Sequence, residues 1–215
     1  MVMDHVVLGK ILEKTATHHK QLCPRVVLGA RIGLAGADVL GMEVPRKDKH
    51  LLVIVETDGC FVSGVESATG CSVNHRTMRI VDYGKVAGTF VNMKTSQAVR
   101  VAPRMGVRQR ALELAPEEPR RYNAMLIGYQ RMPLDELLTF EEVHLSTPVT
   151  TIVSRAGVRV NCDYCAEEII NEREIIQDGL TLCRSCAEPA YYQSSKADQY
   201  VLDLVLSSMI SPVAG

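Results

Sequence analysis

The chain has 215 residues, of which 47% are hydrophobic and 23% are charged, and its formal net charge is −1. This size and composition fit one globular domain with a small addition. The balanced charge gives no reason to expect a nucleic acid or another polyanion as a partner. No apolar run reaches the roughly 18 to 20 residues of a membrane helix, and no cationic signal-peptide start is evident. We therefore expect a cytoplasmic protein without a membrane partner.

The N-terminal part predicts two consecutive helices. Residues 6–22 carry apolar side chains at helical spacing, and Pro24 favours the end of this helix at Cys23. A second helix is predicted over residues 24–40, with Cys23 as its N-cap and Pro24 at its first position. Three glycines at intervals of three or four residues in this helix indicate close packing against another backbone.

Short apolar runs after the helices predict a sheet. Residues 51–55 have the length and composition of a strand, and a short helix or turn is expected over 60–69. Three more strands are predicted over 78–81, 86–91 and 98–101, separated by turns. The fold class that follows is α+β, with helices packed on a mainly antiparallel sheet.

The segment from residue 100 to 131 is rich in arginine, with seven arginines and three glutamates. One helix is predicted at the end of this segment, over 122–131, and another directly after it, over 134–142, with a break at Pro133. The arginines are either a docking surface for the acidic C-terminal segment, within the chain or in a partner subunit, or an ordinary solvated face.

The last four cysteines form two C-x2-C pairs with a long spacer, the pattern of a structural zinc site. Two thiolates three positions apart on a tight turn can both reach one ion at about 2.3 Å. The spacer has strand-like runs and a turn signal at Asp178-Gly179, and a hairpin of 149–153 and 158–160 is expected to lead into this small zinc ribbon. Four sulfur ligands leave no open position, so the zinc is expected to be structural. The predicted ligands are Cys162, Cys165, Cys183 and Cys186.

The predicted ribbon is acidic, with seven acidic side chains and two arginines between residues 161 and 190. Phosphate contacts need a cationic surface, so docking on a protein is favoured over binding to nucleic acid. Coincidental thiols or a redox pair are the alternative interpretations of these cysteines.

Potential ligands are also concentrated around the junction of the first two helices. A thiol at a helix N-terminus, such as that of Cys23, has its pKa lowered by the helix dipole, which favours the thiolate. Cys60 follows the first strand at its carboxyl end, where sites often lie. If residues 60–70 are helical, Cys71 would lie roughly 16 Å from Cys60 along the helix axis and could not share an ion with it. Cys71 is then either a residue that contacts the ligands without binding the metal or a core residue. Taken singly, a cysteine of this kind is more often a small buried hydrophobic residue than a metal ligand.

Five groups of short motifs in the first hundred residues occur together in one known family. They are His19 with Leu22-Cys23-Pro24, Leu28-Gly29 with Arg31-Ile32-Gly33, Val55-Glu56-Thr57-Asp58-Gly59-Cys60, Ala68-Thr69-Gly70-Cys71, and Asp82-Tyr83-Gly84-Lys85. Through these motifs the chain resembles the FmdE component of formylmethanofuran dehydrogenase and its free-standing relatives, strongly from residue 5 to about residue 105. A terminal zinc ribbon is also familiar among such relatives.

The resemblance implies an α+β fold, a homodimer and a core metal site made of histidine and cysteine. The implied ligands of zinc or another divalent metal are His19, Cys23 and Cys60. The family's stretch His-Gly-His-Leu-Cys-Pro has a second histidine where this chain has Gln21, a poor zinc ligand. Three protein ligands leave one coordination position for water or substrate, as in catalytic zinc sites.

These features predict four segments along the chain. They are an α+β core domain over 1–105, a helical connector over 106–148, a zinc ribbon over 149–192 and a helical tail over 193–215.

The expected function is that of a metal-binding accessory protein serving a molybdenum or tungsten enzyme complex. The chain lacks the clustered cysteines of ferredoxins and the mass needed to be that catalyst itself. One alternative is an independent metal-dependent enzyme for hydrolysis or one-carbon transfer, with Asp58, Glu66 and Lys85 as acid–base candidates. Another is a metal carrier or sensor.

Overall fold

The computed structural model describes residues 5–17 and 22–193 and divides the chain into two compact units, one up to Val153 and one from Ser154. The predicted ligand His19, its neighbours His18 and Gln21, and nearly all of the predicted tail lie outside the described residues. In the described ranges, none of the helices combines the length and apolar character needed to cross a bilayer.

The first unit contains seven helices and five strands within its described residues. The helices are α1 (His5–Ala16), α2 (Pro24–Val39), α3 (Cys60–Thr69), α4 (Val107–Glu113), α5 (Arg121–Arg131), α6 (Leu134–Leu137) and α7 (Val149–Val153). The strands are β1 (Leu51–Val55), β2 (Met78–Ile80), β3 (Gly88–Asn92), β4 (Ala98–Pro103) and β5 (Leu138–Glu142).

The strands of the first unit form one sheet in the order β2-β1-β3-β4-β5. Strand β2 runs parallel to β1, and every other neighbouring pair is antiparallel. The central strands β1 and β3 are almost wholly buried, and helix α2 contacts β3 and β4. The predicted α+β class with a mainly antiparallel sheet is confirmed.

Helix α1 is shorter than the predicted 6–22, because it ends at Ala16. In its last turn the Thr17 hydroxyl donates a hydrogen bond of 2.7 Å to the carbonyl of Lys14, which satisfies one of the carbonyls left free at a helix end. Four side chains of the predicted stripe are buried, namely Leu8, Ile11, Leu12 and Thr15.

Helices α2 and α3 pack in parallel at backbone contact. A Cβ atom at Gly29 would lie 2.2 Å from the carbonyl oxygen of Phe61, and one at Gly64 would lie equally close to a carbonyl of α2. Further along both helices, a Cβ atom at Gly33 would lie 2.9 Å from that of Ala68. The glycines therefore permit close packing, as predicted, and bring the N-termini of the two helices to the same end.

The predicted helix over 134–142 is wrong beyond its first turn. Helix α6 ends at Leu137, and the next five residues form β5, whose register with β4 includes Val101 opposite Phe140. An isolated nine-residue helix is marginal, whereas the free edge of β4 offers a row of backbone partners. The helix α4 was not predicted.

The predicted strand at 149–153 is also wrong, because these residues form the short helix α7. The amides of Thr151 and Ile152 both donate to the carbonyl of Pro148, at 3.0 and 3.1 Å, which begins a helical turn. The segment predicted as a helical connector over 106–148 contributes α5, which packs against α2, and the sheet strand β5 to the first unit.

The second unit consists of two hairpins and one helical turn in its described part. Strands β6 (Arg159–Asn161) and β7 (Glu168–Ile170) pair with each other, as do β8 (Ile175–Gln177) and β9 (Leu180–Leu182), and α8 (Arg184–Ala187) follows. The turn between β8 and β9 has both residues, Asp178 and Gly179, at positive φ, 52° and 79°. This is the tight hairpin that the sequence predicted.

Candidate metal sites

The four C-terminal cysteines converge in the second unit. Each offers one sulfur atom, and the four sulfurs lie within 4.8 Å of one another. Two tight turns produce this arrangement: the amide of Ala166 donates to the carbonyl of Cys162, and the amide of Cys186 donates to that of Cys183. Each turn thus points a pair of thiols the same way.

The spacing of the sulfurs fits a metal ion. The Sγ atoms of Cys165 and Cys183 are 3.8 Å apart. Four sulfurs at about 2.3 Å from one ion would be separated by about 3.8 Å in a regular tetrahedron. The group can therefore hold a metal ion with all four sulfurs as ligands.

The thiols of this cluster differ in acidity. Hydrogen bonds from the backbone amides of Cys165 and Cys183 lower the pKa of Cys162 to about 6, and the Cys183 amide lies 3.3 Å from the Cys162 sulfur. The Ser185 hydroxyl lowers the pKa of Cys183. Burial, followed by hydrogen bonds to the other thiols, raises the pKa of Cys186. One thiol therefore ionises readily, whereas four thiolates together require a cation.

The two other predicted thiol ligands that the structure describes also come together. Cys23 is the N-cap of α2 and Cys60 is the first residue of α3. Because the helices are parallel, both thiols lie at the same end of the pair, where the positive ends of the two helix dipoles meet. Gly59, with φ of 73°, makes the turn that begins α3 at Cys60.

The Cys23 and Cys60 side chains lie close enough to influence each other. The lowered pKa predicted for Cys23 is wrong, because burial raises its pKa, and hydrogen bonding to the Cys60 thiol and the charge of that group add to the rise. Backbone amides at the start of α2 act in the opposite direction. Both thiols are half-buried and pack against the main core. A cation bound between the two sulfurs would offset the free-energy cost of holding charged thiolates in a partly buried position.

Tyr122, at the start of α5, is a neighbour of these thiols that sequence reasoning missed. Its hydroxyl donates a hydrogen bond of 2.9 Å to the carbonyl of Leu22. Burial and the charges of Cys23 and Cys60 raise the pKa of Tyr122. No spacing or motif links Tyr122 to cysteines so distant in the chain, so only the packing of α5 on α2 reveals it.

The remaining cysteine and the acid–base candidates lie elsewhere. Cys71 is 1% exposed, and its thiol donates to the carbonyl of Leu51 at 3.4 Å, so it packs in the core. Asp58, Glu66 and Lys85 are all exposed. Of these three, Lys85 lines a cavity in the described part of the chain.

The family model described as "FmdE, Molybdenum formylmethanofuran dehydrogenase operon" matches residues 18–139, more than half of the chain. The chain belongs to the FmdE family. The resemblance drawn from the short motifs is thereby confirmed. The FmdE match includes Cys23, Cys60 and Tyr122, and it ends before the four C-terminal cysteines.

Two known proteins are similar to this chain. One is a tungsten formylmethanofuran dehydrogenase FmdE-like protein from Syntrophus aciditrophicus, whose crystal structure matches with a TM-score of 0.55 at 21% identity, covering 86% of this chain and 95% of that one. The other is a probable S-adenosyl-L-methionine-binding protein from Archaeoglobus fulgidus, 28% identical over 206 residues and 86% of this chain. This chain spans about half, 54%, of that relative's length.

Proposed function

We propose that this FmdE-family protein is a metal-binding accessory protein with two zinc-type sites of different character. The four-cysteine group of the second unit is a closed structural zinc site. The core site, formed by His19, Cys23 and Cys60, binds zinc or another divalent metal and keeps one position open. The observation that carries the proposal is the proximity of two half-buried thiols at the adjacent N-termini of α2 and α3.

Zinc is the metal that best fits the closed site. Four thiolates in a tetrahedral arrangement are typical of zinc or iron–sulfur centres, and two C-x2-C pairs are the zinc pattern. The backbone amides of Cys165 and Cys183 donate hydrogen bonds to the Cys162 sulfur, and hydrogen bonds of this kind orient metal ligands.

The core site differs because two cysteines supply only half of a tetrahedron. His19 precedes Cys23, the N-cap of α2, by four residues in the sequence, so it is the nearest further ligand, and the family motif implies it. Tyr122 lies beside the thiols and can hydrogen-bond a ligand in the open position. Such a site suits an exchangeable metal or a bound small molecule better than a purely structural ion.

The second unit serves as a protein-docking module in this proposal. Its acidic surface disfavours nucleic acid and favours a basic protein surface. The family description refers to a molybdenum formylmethanofuran dehydrogenase operon, which supports a molybdenum or tungsten enzyme complex as partner. A cytoplasmic homodimer is proposed on the family resemblance.

Elemental analysis of purified variants tests the two sites. We expect about two metal ions per chain in the wild type, since each site holds one ion. Cys60→Ser should remove the core ion and Cys162→Ser the ribbon ion, because serine is a poor ligand for a soft site. Cys71→Ser is the control, because Cys71 is a buried thiol without neighbouring ligands among the described residues, and it should keep both ions. A single ion lost only in Cys162→Ser would contradict the core site.

A second candidate function, one-carbon chemistry at the core site, is favoured by the description of the Archaeoglobus relative as a probable S-adenosyl-L-methionine-binding protein. If it holds, S-adenosylmethionine should bind the metal-loaded protein in isothermal titration, and Cys60→Ser should weaken binding about tenfold or more. Cys162→Ser should leave that binding unchanged. Binding that is absent in the wild type, or equally lost in both variants, would eliminate this candidate.

A further inference from the structure

A second feature of the first unit lies apart from the cysteines: an open cavity of about 640 Å³ whose polar lining is strongly basic. Its volume is in the range of small-molecule sites. None of the described residues that line it is acidic. The polar side chains relevant here are Lys85, Arg100, Arg104, Arg108, Arg121 and Tyr129.

Five positive charges on one cavity contrast with a chain whose net charge is −1. They come from separate elements: the loop before β3, strand β4, the segment around the start of α4, and the start of α5. Clustering of like charges from distant parts of the chain costs free energy by mutual repulsion. A bound anion would offset this cost.

One of the basic groups is held in place by a buried partner, and a second lies beside a buried phenol. Arg100 donates two hydrogen bonds to the carboxylate of Glu56, at 2.6 and 2.7 Å, and Glu56 is only 7% exposed. The charge of Arg108 acts on the hydroxyl of the buried Tyr129 and opposes the rise in its pKa that burial causes. A buried carboxylate thus orients one guanidinium group at the cavity, which a merely solvated face would not require.

The other cavity cations have no carboxylate partner among the described residues. Arg104 donates to the carbonyl of Asp135 at 2.6 Å, which leaves its charge unneutralised. Lys85 and Arg121 are exposed, and the described residues offer their side chains no ion-pair partner. Outside the cavity, by contrast, Arg110 and Arg131 of the same arginine-rich segment pair with glutamates. Three arginines of this segment without a carboxylate partner in the described ranges, Arg104, Arg108 and Arg121, therefore line the cavity.

We propose that this cavity binds a small molecule through its phosphate groups. Guanidinium forks match the oxygen geometry of phosphate, and a lysine adds a point charge. Four cations without a carboxylate partner suit a ligand with several negative charges, such as a diphosphate, better than a single carboxylate. This site is separate from the proposed core metal site and does not depend on it.

Isothermal titration of the full chain with inorganic pyrophosphate tests the site. We expect saturable one-site binding that weakens as salt is added. The double variant Lys85→Gln/Arg121→Gln should weaken binding about thirtyfold or more, because each lost charge-assisted contact costs several-fold in affinity. Both side chains are exposed, so the variant should fold like the wild type, as circular dichroism can verify.

The matched control is Lys47→Gln/Lys94→Gln, which removes two exposed charges from the same unit but outside the cavity. It should change the affinity by about twofold at most. Equal weakening in both double variants would overturn the site in favour of a diffuse field, and so would the absence of saturable binding up to about 1 mM. Tighter binding of citrate than of pyrophosphate would overturn the assignment to phosphate. The Cys60→Ser variant should bind pyrophosphate normally, which separates this proposal from the core metal site.

Discussion

Loss of one thiol from the four-cysteine group is expected to unfold the second unit while the first unit stays folded. Only three residues of the described part of that unit form its buried cluster, namely Cys162, Ile169 and Leu182. A unit this small rarely folds on its apolar contacts alone. Metal binding contributes about 10 to 16 kcal/mol in comparable zinc-finger peptides. Cys162→Ser should therefore abolish the ordered structure of residues 154–193.

Limited proteolysis with mass spectrometry can measure this effect, since cleavage should become rapid within 154–193 and stay slow in the first unit. A strong chelator should reproduce the result with the wild type. Ser185→Ala is the matched control, because Ser185 lies in the same helical turn and contacts the Cys183 sulfur at 3.2 Å but is not one of the four cysteines. A protease-resistant but metal-free Cys162→Ser variant would show that the metal is not structural.

Replacement of Arg31 is expected to have the largest effect on the first unit. Arg31 is 2% exposed, and its Nη1 atom donates to the carbonyls of Tyr129 and Met132, at 2.5 and 2.6 Å. These carbonyls lie at the C-terminal end of α5, where they lack partners within the helix. A positive charge from α2 thus caps α5 and complements its dipole. Burial lowers the pKa of Arg31 to about 10, so the group is still charged at neutral pH.

Arg31→Met should lower the free energy of unfolding by about 3 kcal/mol or more, because two buried carbonyls lose their donor. Urea titration followed by far-UV circular dichroism measures it. Arg25→Met in the same helix is the control: Arg25 is exposed, and its replacement should change the stability by about 0.5 kcal/mol at most. One atom of Arg31, Nε, has no hydrogen-bond partner within the described residues. If removal of that buried charge outweighs the lost bonds, Arg31→Met will be as stable as the wild type and this account is wrong.

The sequence predicted best the elements that depend on neighbouring residues. The N-cap and first position of α2, the glycine contacts of that helix, and the Asp178-Gly179 turn were all confirmed. The helix predicted at 134–142 and the strand predicted at 149–153 were wrong. Residues 138–142 of the predicted helix instead pair with the free edge of β4 as a strand. In the predicted strand, Pro148 begins a helical turn. Local preference is weak in such short segments, so tertiary partners decide them.

The candidate sites also differ in whether local sequence or tertiary packing determines them. The two C-x2-C pairs predict their own geometry, because thiols three residues apart on a tight turn point the same way. The proximity of Cys23 and Cys60 depends instead on the parallel packing of α2 and α3, which the glycines permit but do not by themselves specify. The position of Tyr122 beside these thiols and the formation of the basic cavity both depend on contacts between segments that are even further apart in the chain. The histidine of the proposed core site, His19, stays a prediction.

By itself, the sequence of this FmdE-family protein determined the α+β class and the four-cysteine group, because these follow from the periodicity of side chains and from ligands spaced within single turns. The tertiary structure alone decided which thiols of the first unit lie close together, which tyrosine lies beside them and which basic side chains line one cavity. These arrangements join residues far apart in the chain, and their free energy comes from packing that no local pattern encodes.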